Sequence, residues 1–336
     1  MIRFQSLRYA LVVLLALPIE GSRPQVDSPV HRIAFGSKRD GNWEVYAVDS
    51  EGRHLTRLTR RVEAGDRFPI WSPDGTRIAF GSQVGNHWEL WVMGSDGSAP
   101  TRLTSGIVAK SPRAWSPDGS RILFESQRDG NREIYTITAD GSELRRLTTS
   151  PADDINPTWS PDGRRIAFSS SRDGNAEIYV MDADGGHLSR LTSNPAKEDT
   201  PVWSPDGSRI AFVSDRHTHR ALYLMGADGS GQIELSWVPN AEDHVPVWSP
   251  DGKRIAFQAV RGENYDIETV DLAGRRRTRL TSDPGYDGSF SWSPDGNRLA
   301  FISARQGSDA LYLMGADGSQ VHRLVNEPAL DPKWSP

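Results

Sequence analysis

The sequence predicts an all-β fold, a seven-bladed β-propeller built from four-stranded antiparallel blades. One observation is a repeated segment, Trp-Ser-Pro-Asp-Gly, which begins at residues 71, 115, 159, 203, 248 and 292 and returns in shortened form at 334–336. The copies lie 42 to 45 residues apart, a spacing typical of propellers and solenoids. Another observation is that each repeat contains four short apolar runs separated by three turn sequences.

The first residues differ in composition from the rest of the chain. Arg3 and Arg8 precede an apolar run over residues 9–17, an order typical of a secretory signal peptide. The run is shorter than the roughly 20 residues of a membrane-spanning helix. We therefore expect a signal peptide over residues 1–21, a short leader over 22–29, no stable membrane span, and a periplasmic or secreted protein.

The unit at residues 159–192 shows the turn chemistry most clearly. Ser-Pro-Asp-Gly at 160–163 suits a type I turn, because proline presets φ at the second position. Asp-Gly at 184–185 suits a hairpin turn. Residues 166–168 alternate between the two faces of a strand, yet all of them are apolar. Blades that pack face to face around an axis bury both faces, which favours a propeller over an open sheet.

The number of blades follows from the strand after each tryptophan segment, whose pattern is close to Arg-Ile-Ala-Phe. It occurs seven times, at residues 32–35, 77–80, 121–124, 165–168, 209–212, 254–257 and 298–301. The first copy lacks a preceding tryptophan segment, and residues 331–336 supply one. We predict that this C-terminal strand pairs with the N-terminal blade and closes the ring over residues 30–336. The arginines that begin these strands are interpreted as partners in structural ion pairs, and the tryptophans as packing between blades.

Composition narrows the functional classes. A formal net charge of −5 and the lack of a nucleic-acid-binding motif argue against a nucleic-acid partner. The chain contains no cysteine, which excludes disulfides and thiolate metal sites. The repeats are continuous, so we expect no second domain. We also expect a monomer.

A carboxylate lies five residues before most of the repeated tryptophans. These residues are Asp66, Asp154, Glu198, Asp243 and Asp287, with Asp199 next to Glu198. The tryptophan strand is innermost in a propeller blade, so the acids should gather near one mouth of the channel. A ring of acids would bind a basic peptide segment or a divalent cation. In the alternative interpretation each acid bonds to local backbone amides and orders its own turn.

Aromatic residues at the same mouth are less repetitive. Phe68 and Tyr286 lie in segments that lead into inner strands. Symmetry cannot explain non-repeating residues, which makes them the better functional candidates. The predicted ligand-binding set is therefore Asp66, Phe68, Asp154, Asp199, Asp243, Tyr286 and Asp287.

The repeat resembles that of the TolB-like propeller family, whose core is Asp-x-x-Pro-x-Trp-Ser-Pro-Asp-Gly. That core occurs in full at residues 66–75, 154–163 and 243–252. The resemblance implies the fold, whereas function stays open, because the same repeat serves binding proteins, peptidase-associated domains and some lyases. TolB itself has six blades behind an α/β domain, which differs from the count here. No Gly-x-Ser-x-Gly segment is present, so the resemblance to the peptidases does not extend to a hydrolase site.

His217 and His219, two residues apart, are candidate metal ligands with His244 as a candidate third, although an exposed loop would also explain the pair. The lyases with related propellers use a histidine-rich metal centre. Our main hypothesis is an exported, non-enzymatic scaffold that binds a protein, peptide or glycan at one channel mouth. It requires no cofactor and no catalytic residue, and a divalent cation would be an addition. The alternatives are a metal-assisted polysaccharide lyase or hydrolase on the channel face, and a purely structural component of the cell envelope.

Overall fold

The structure is a computed structural model that describes residues 31–61, 64–105, 109–217, 219–236, 238 and 241–336. The predicted signal peptide and leader lie outside these residues. Every regular element in the described ranges is a β-strand. Within them, no helix has the length and apolar character needed to cross a membrane.

The strands form seven antiparallel blades, which confirms the predicted all-β propeller. Blade 1 contains β1 (Arg32–Ser37), β2 (Glu44–Asp49) and β3 (Thr56–Arg57). Blade 2 contains β4 (Gly65–Trp71), β5 (Arg77–Val84), β6 (His87–Gly94) and β7 (Thr101–Arg102). Blade 3 contains β8 (Ala109–Trp115), β9 (Arg121–Ser126), β10 (Glu133–Thr138) and β11 (Leu144–Arg146). Blades 4 and 5 contain β12 (Asp154–Trp159), β13 (Arg165–Ser170), β14 (Glu177–Asp182) and β15 (Ser189–Arg190); and β16 (Glu198–Trp203), β17 (Arg209–Ser214), β18 (Ala221–Gly226) and β19 (Ile233–Ser236). Blades 6 and 7 contain β20 (Glu242–Trp248), β21 (Arg254–Arg261), β22 (Asn264–Asp271) and β23 (Arg277–Arg279); and β24 (Asp287–Trp292), β25 (Arg298–Ser303), β26 (Ala310–Gly315) and β27 (His322–Arg323).

Blade 1 is completed by the last strand of the chain, β28 (Ala329–Trp334), as predicted. β28 pairs antiparallel with β1, with Trp334 opposite Ile33. The backbone N–H of Ser335 donates a 2.7 Å hydrogen bond to the carbonyl of Arg32. The ring is therefore closed by a strand from each end of the chain.

Each inner strand ends at its tryptophan, and the antiparallel order of the blade defines two faces of the propeller. The Trp-Ser-Pro-Asp-Gly turns and the hairpins between third and fourth strands lie on one face, here called the bottom face. The turns between second and third strands, and the connections to the next blade, lie on the opposite face, here called the top face. At the top face the inner strand of one blade meets the third strand of the preceding one, as when Asp66 N donates a 2.8 Å hydrogen bond to Trp43 O.

A fully buried phenylalanine occupies the second strand of every blade. These residues are Phe35, Phe80, Phe124, Phe168, Phe212, Phe257 and Phe301. In most blades the ring packs against an aromatic ring of the third strand, as between Phe124 and Tyr135, whose centroids are 5.6 Å apart. Burying such a side chain contributes roughly 1.5–3 kcal/mol, so this repeated pair is a main source of blade stability.

The repeated tryptophans join neighbouring blades, as predicted. The indole N–H of Trp115 donates a 3.1 Å hydrogen bond to Ile70 O in the preceding blade, and Trp71 does the same to Lys333 O across the closure, at 3.0 Å. The predicted ion pairs of the repeated arginines are mostly replaced by stacking. Arg165, for example, lies 4.6 Å above the ring centroid of Trp203 in the next blade, a cation–π contact between blades.

Candidate functional site

The inner strands carry a β-bulge just before the tryptophan. In six blades the residue three positions before the tryptophan has a positive φ of 42° to 58°, although it is not glycine; these residues are Phe68, Asn156, Thr200, Val245, Ser289 and Asp331. This conformation is uncommon for such residues and is held by the surrounding structure. Blade 3 differs because Pro112 occupies the position and its ring fixes φ at a negative value.

The predicted acids are buried below the top face. Asp66, Asp154, Glu198, Asp243 and Asp287 are at most 1% exposed. Most of them pair with an arginine of their own blade, as Asp154 does with Arg172 at 2.8 Å and Glu198 with Arg216 at 3.0 Å. This burial favours the interpretation in which the acids order the fold, with arginine as the partner in place of backbone amides. Ligand binding by Asp154, Asp243 and Asp287 stays a prediction that their burial does not support.

Asp66 is the exception among these acids. Val84 stands at the position that Arg172 occupies in blade 4, so no arginine of the turn reaches the Asp66 carboxylate. Burial, with a smaller contribution from the nearby Glu44 carboxylate, raises the pKa of Asp66 to about 6, and the polar side chains of Ser82 and Thr59 and the charge of Arg61 act in the opposite direction. Blade 2 therefore contains a buried carboxyl group with a raised pKa.

Asp199, the remaining predicted acid, is half-buried. Its Oδ1 accepts hydrogen bonds from Asn156 Nδ2 at 2.7 Å, from Ser169 Oγ at 3.1 Å and from Thr200 N at 2.7 Å. Arg220 lies 3.7 Å away. These donors hold the carboxylate between blades 4 and 5.

Phe68 belongs to an aromatic group on blades 1 and 2, here called the tryptophan cluster (Trp43, Phe68 and Trp88). The rings of Phe68 and Trp88 meet edge to face, with centroids 5.3 Å apart. The guanidinium of Arg67 stacks between them and Trp43, at 4.8 Å from the Trp88 centroid and 5.1 Å from the Trp43 centroid. All three rings are only half-buried, so their edges remain accessible on the top face.

Glycines make room for the tryptophan cluster. A methyl group added at Gly81 would lie 3.2 Å from Trp88 Cε3, and one at Gly36 would lie 3.6 Å from Arg67 Cγ. The equivalent second-strand positions in the other blades carry larger residues, Glu125, Ser169, Val213, Gln258 and Ile302. The combination of glycine and tryptophan is thus particular to blades 1 and 2.

Tyr286 forms a second aromatic group with Tyr265 on blades 6 and 7, here called the tyrosine pair. Their ring centroids are 5.6 Å apart, and the two residues also form an isolated parallel bridge. The hydroxyl of Tyr286 lies 3.1 Å from Ser289 Oγ. Because blade 7 adjoins blade 1 in the closed ring, the tyrosine pair and the tryptophan cluster lie on consecutive blades.

Sequence reasoning missed Trp43, Trp88 and Tyr265. All three occupy the same repeat position, one residue before the third strand's first buried acid. Blades 3, 4, 5 and 7 have Arg132, Ala176, Arg220 and Asp309 there. Aligning the repeats at this position would have shown the aromatic substitutions, whereas the alignment on the tryptophan segment drew attention to the inner strand alone.

The channel wall carries several charges. Lys333 on β28 is exposed to solvent yet enclosed by the inner strands, and this enclosure lowers its pKa. Asp331 acts in the opposite direction, and the charge of Arg113 in blade 3 lowers the Lys333 pKa further. Arg113 itself pairs with Glu125 at 2.6 Å. Since Lys333 and Arg113 belong to blades 1 and 3, they influence each other across the channel.

The predicted metal ligands do not form a metal-binding group. His217 and His219 have ring centroids 6.4 Å apart, and His217 Nε2 lies 3.5 Å from Glu234 Oε2. His244 is half-buried and lies 3.4 Å from Glu242, and its pKa is lowered mainly by burial. Among the described residues, no three His, Asp or Glu side chains are arranged to hold one ion. A metal site at these histidines stays a prediction that the geometry does not support.

Grooves on the bottom face follow the repeat. One of about 300 Å³ lies between blades 3 and 4 and is lined by Asp118, Arg145 and Asp184, among others. A similar groove of about 420 Å³ lies between blades 6 and 7. Their lining residues come from turns that recur in the other blades, so these grooves are less specialised than the top face.

Solved structures with the same fold include proteins of several functions. A putative TolB from Agrobacterium tumefaciens is 24% identical over 85% of this chain and 98% of its own, with a TM-score of 0.60. An oligogalacturonate lyase in complex with manganese is 16% identical over 88% and 84% of the two chains, with a TM-score of 0.68. A puromycin-hydrolyzing peptidase from Mycobacterium tuberculosis is 17% identical, with a TM-score of 0.71, and the match covers 91% of this chain but 53% of the peptidase.

At these identities the likeness establishes the fold and leaves the activity open. No protein of curated function matches this chain. The sequence pattern of the TolB beta propeller domain, by contrast, matches in overlapping segments at residues 67–156, 106–179, 150–245 and 238–336. The chain therefore belongs to the family of the TolB beta propeller domain.

Proposed function

We propose that this protein is an exported, non-enzymatic binding protein that holds a segment of a partner protein on its top face. The observation that carries the proposal is the row of half-buried aromatic side chains on blades 6, 7, 1 and 2, formed by the tyrosine pair and the tryptophan cluster. Trp, Tyr and Arg are the residues that contribute most binding energy in protein interfaces. On this symmetric scaffold they occur where the repeat itself does not require them.

Other features agree with a scaffold. The putative TolB of Agrobacterium tumefaciens is a propeller of the same family, and a structure of a nidogen/laminin complex contains a similar fold at a TM-score of 0.54. The basic and apolar start of the chain supports export. A glycan is the less favoured ligand, because the side chains around Arg67 offer few acceptors for hydroxyl groups.

The proposal can be tested by selecting peptides from a displayed library against the full protein. Selected peptides should lose at least about tenfold in affinity when Trp88 or Tyr286 is replaced by alanine, because truncating a hot-spot residue costs about 2 kcal/mol or more. Arg145→Ala, in the groove of the bottom face, serves as the matched control and should leave affinity unchanged. Peptides that respond to Arg145→Ala and ignore the top-face variants would contradict the proposal.

The alternative function, a metal-assisted polysaccharide lyase or hydrolase, makes a separate prediction. It requires that Mn²⁺ raise the thermal midpoint of the wild-type protein and that His217→Ala and His244→Ala remove the increase. We expect no such change, because the described histidines lie in no group of three ligands. An increase in the thermal midpoint that depends on these histidines would favour the lyase or hydrolase over the binding protein.

A further inference from the structure

We propose that the tryptophan cluster with Arg67 is a carboxylate-binding site, and that the partner segment is an acidic peptide whose Asp or Glu side chain pairs with Arg67. The inference rests on the proposed function and deepens it by naming the charge of the partner. It also reverses the earlier expectation of a basic ligand, because the acids behind that expectation are buried.

The guanidinium of Arg67 forms no ion pair with the described residues. In the described part of the chain, no carboxylate oxygen lies within 4.0 Å of its guanidinium. Its hydrogen bond to Gln83 Oε1 is 3.5 Å long, and its Nε is buried without a hydrogen-bond partner. Arg172 and Arg216, which lie on the same face, pair with buried acids of their own blades. A guanidinium left unpaired in this way is available for an external carboxylate.

The aromatic rings hold the Arg67 guanidinium in place. Trp43 and Trp88 lie 5.1 Å and 4.8 Å from it, and Phe68 lies 6.0 Å away. Stacking occupies the faces of the planar group, and because Nε is buried, a ligand carboxylate would bond to the terminal Nη groups. Because the guanidinium is already oriented, binding of a carboxylate costs little side-chain conformational entropy.

The side chains around Arg67 favour a ligand that accepts hydrogen bonds. The side chains that stack on it or bond to it are Trp43, Phe68, Trp88 and Gln83, and of these only Gln83 carries a hydrogen-bond acceptor. The Asp331 carboxylate lies nearby but forms no ion pair with Arg67. A neutral sugar presents hydroxyl groups that need acceptors as well as donors. A carboxylate needs donors alone, which is what this site supplies.

The inner strands of blades 1 and 3 carry further charged groups. Lys333 is a second cation for which the described residues provide no carboxylate within 4.0 Å. Asp331 lies near both Arg67 and Lys333 and offsets one of the two charges, while Glu125 neutralises Arg113. The remaining positive charge attracts an acidic segment toward the mouth of the channel.

A peptide fits this site better than an acidic sugar does. The tryptophan cluster and the tyrosine pair lie on consecutive blades of the ring, and an extended peptide advances about 3.3 Å per residue. An extended segment that runs from blade 7 to blade 2 can therefore place a carboxylate on Arg67 and an apolar side chain against Tyr286. Indole and phenol rings beside an arginine are also the composition that dominates protein interfaces.

The test measures binding to the full protein of three sets of short synthetic peptides with the same apolar residues. The sets carry Asp and Glu, Asn and Gln, or Lys, and an oligogalacturonate serves as a non-peptide carboxylate. We expect the acidic set to bind best, to weaken about tenfold with Arg67→Gln, and to recover in part with Arg67→Lys. Arg128→Gln, an exposed arginine on the same face, is the matched control, and thermal unfolding of each variant checks that it folds.

Each outcome bears on a different claim. Equal binding of acidic and amide peptides, or equal binding by the wild type and Arg67→Gln, would overturn the carboxylate site while leaving the proposed function intact. Binding of the oligogalacturonate in preference to every peptide would overturn the peptide assignment. Failure of the proposed function would appear separately, as library peptides that ignore both Trp88→Ala and Tyr286→Ala.

Discussion

Arg172 donates a 2.8 Å hydrogen bond to the buried carboxylate of Asp154, and this pair defines how the inner-strand acids are held. Blades 5 and 7 repeat the arrangement with Arg216 and Arg305. Blade 2 keeps the acid, Asp66, but has Val84 in place of the arginine. An ionised acid at this position therefore stabilises blades 4, 5 and 7 through its arginine, whereas in blade 2 the buried charge opposes folding.

Asp66→Asn should remove a pH dependence of stability. Burial raises the pKa of Asp66 from 3.8 to about 6, so the folded protein binds this proton more tightly than the unfolded chain does. The contribution favours folding at low pH and is lost as pH rises from about 4 to about 6, with a total near 3 kcal/mol. Urea unfolding of both proteins across this range should show a difference that grows with pH in favour of Asp66→Asn. A constant difference would show that the carboxyl group does not titrate there.

Asp154→Asn should have the reverse effect at pH 7. The substitution leaves the guanidinium of Arg172, which is only 18% exposed, without its ionic partner. Losing a charged hydrogen bond of this kind costs about 1.5–3 kcal/mol. Urea unfolding at pH 7 measures the cost. Asp66→Asn is the matched control, because blade 2 has no arginine at the position of Arg172. Equal changes in the two variants would argue against the pairing as the source of stability.

Removal of residues 326–336 should prevent closure of the ring. The deletion eliminates β28, its ladder with β1 and the acceptor carbonyl of Lys333 for the Trp71 indole. We expect the thermal midpoint to fall by more than about 10 °C, or cooperative unfolding to disappear. Removal of Pro336 alone is the control and should change the midpoint little. An unchanged midpoint in the longer deletion would rule out closure by this strand.

Arg165→Met should weaken the contact between blades 4 and 5. The substitution keeps an apolar side chain but removes the guanidinium that lies 4.6 Å above the Trp203 ring. A cation–π contact of this kind contributes about 0.5–2 kcal/mol, so the free energy of unfolding should fall by that amount. The neighbouring Arg164 is exposed, and Arg164→Met should stay within about 0.5 kcal/mol of the wild type. A larger effect at Arg164 than at Arg165 would contradict the assignment.

Gly81→Ala should disturb the tryptophan cluster while the blade remains folded. The added methyl group would lie 3.2 Å from Trp88 Cε3, closer than an ordinary contact, so the indole must move. Tryptophan fluorescence should shift, and affinity for acidic peptides should fall severalfold. Gly36→Ala is the matched control, because its methyl group would meet Arg67 Cγ at an ordinary 3.6 Å. The same response in both variants would argue against crowding of Trp88 as the cause.

The candidate site was predicted in part. Phe68 and Tyr286 were identified because they break the repeat, and both lie in aromatic groups on the top face. The acids were identified because they follow the repeat, and they are buried inside the blades. A residue that recurs in most blades is explained by the fold that the blades share, whereas a residue that breaks the repeat is explained by a role at its own position.

The sequence by itself determined the seven blades, the order of strands and the closure by Trp334, because each depends on turn chemistry and apolar patterns that repeat within 45 residues. The tertiary structure decided which charges are paired and which are accessible. Arg67 and Trp43 are 24 positions apart and in different blades, and Asp331 comes near Arg67 only after the ring has closed. Such contacts depend on packing between blades, and a pattern along one strand does not contain that information.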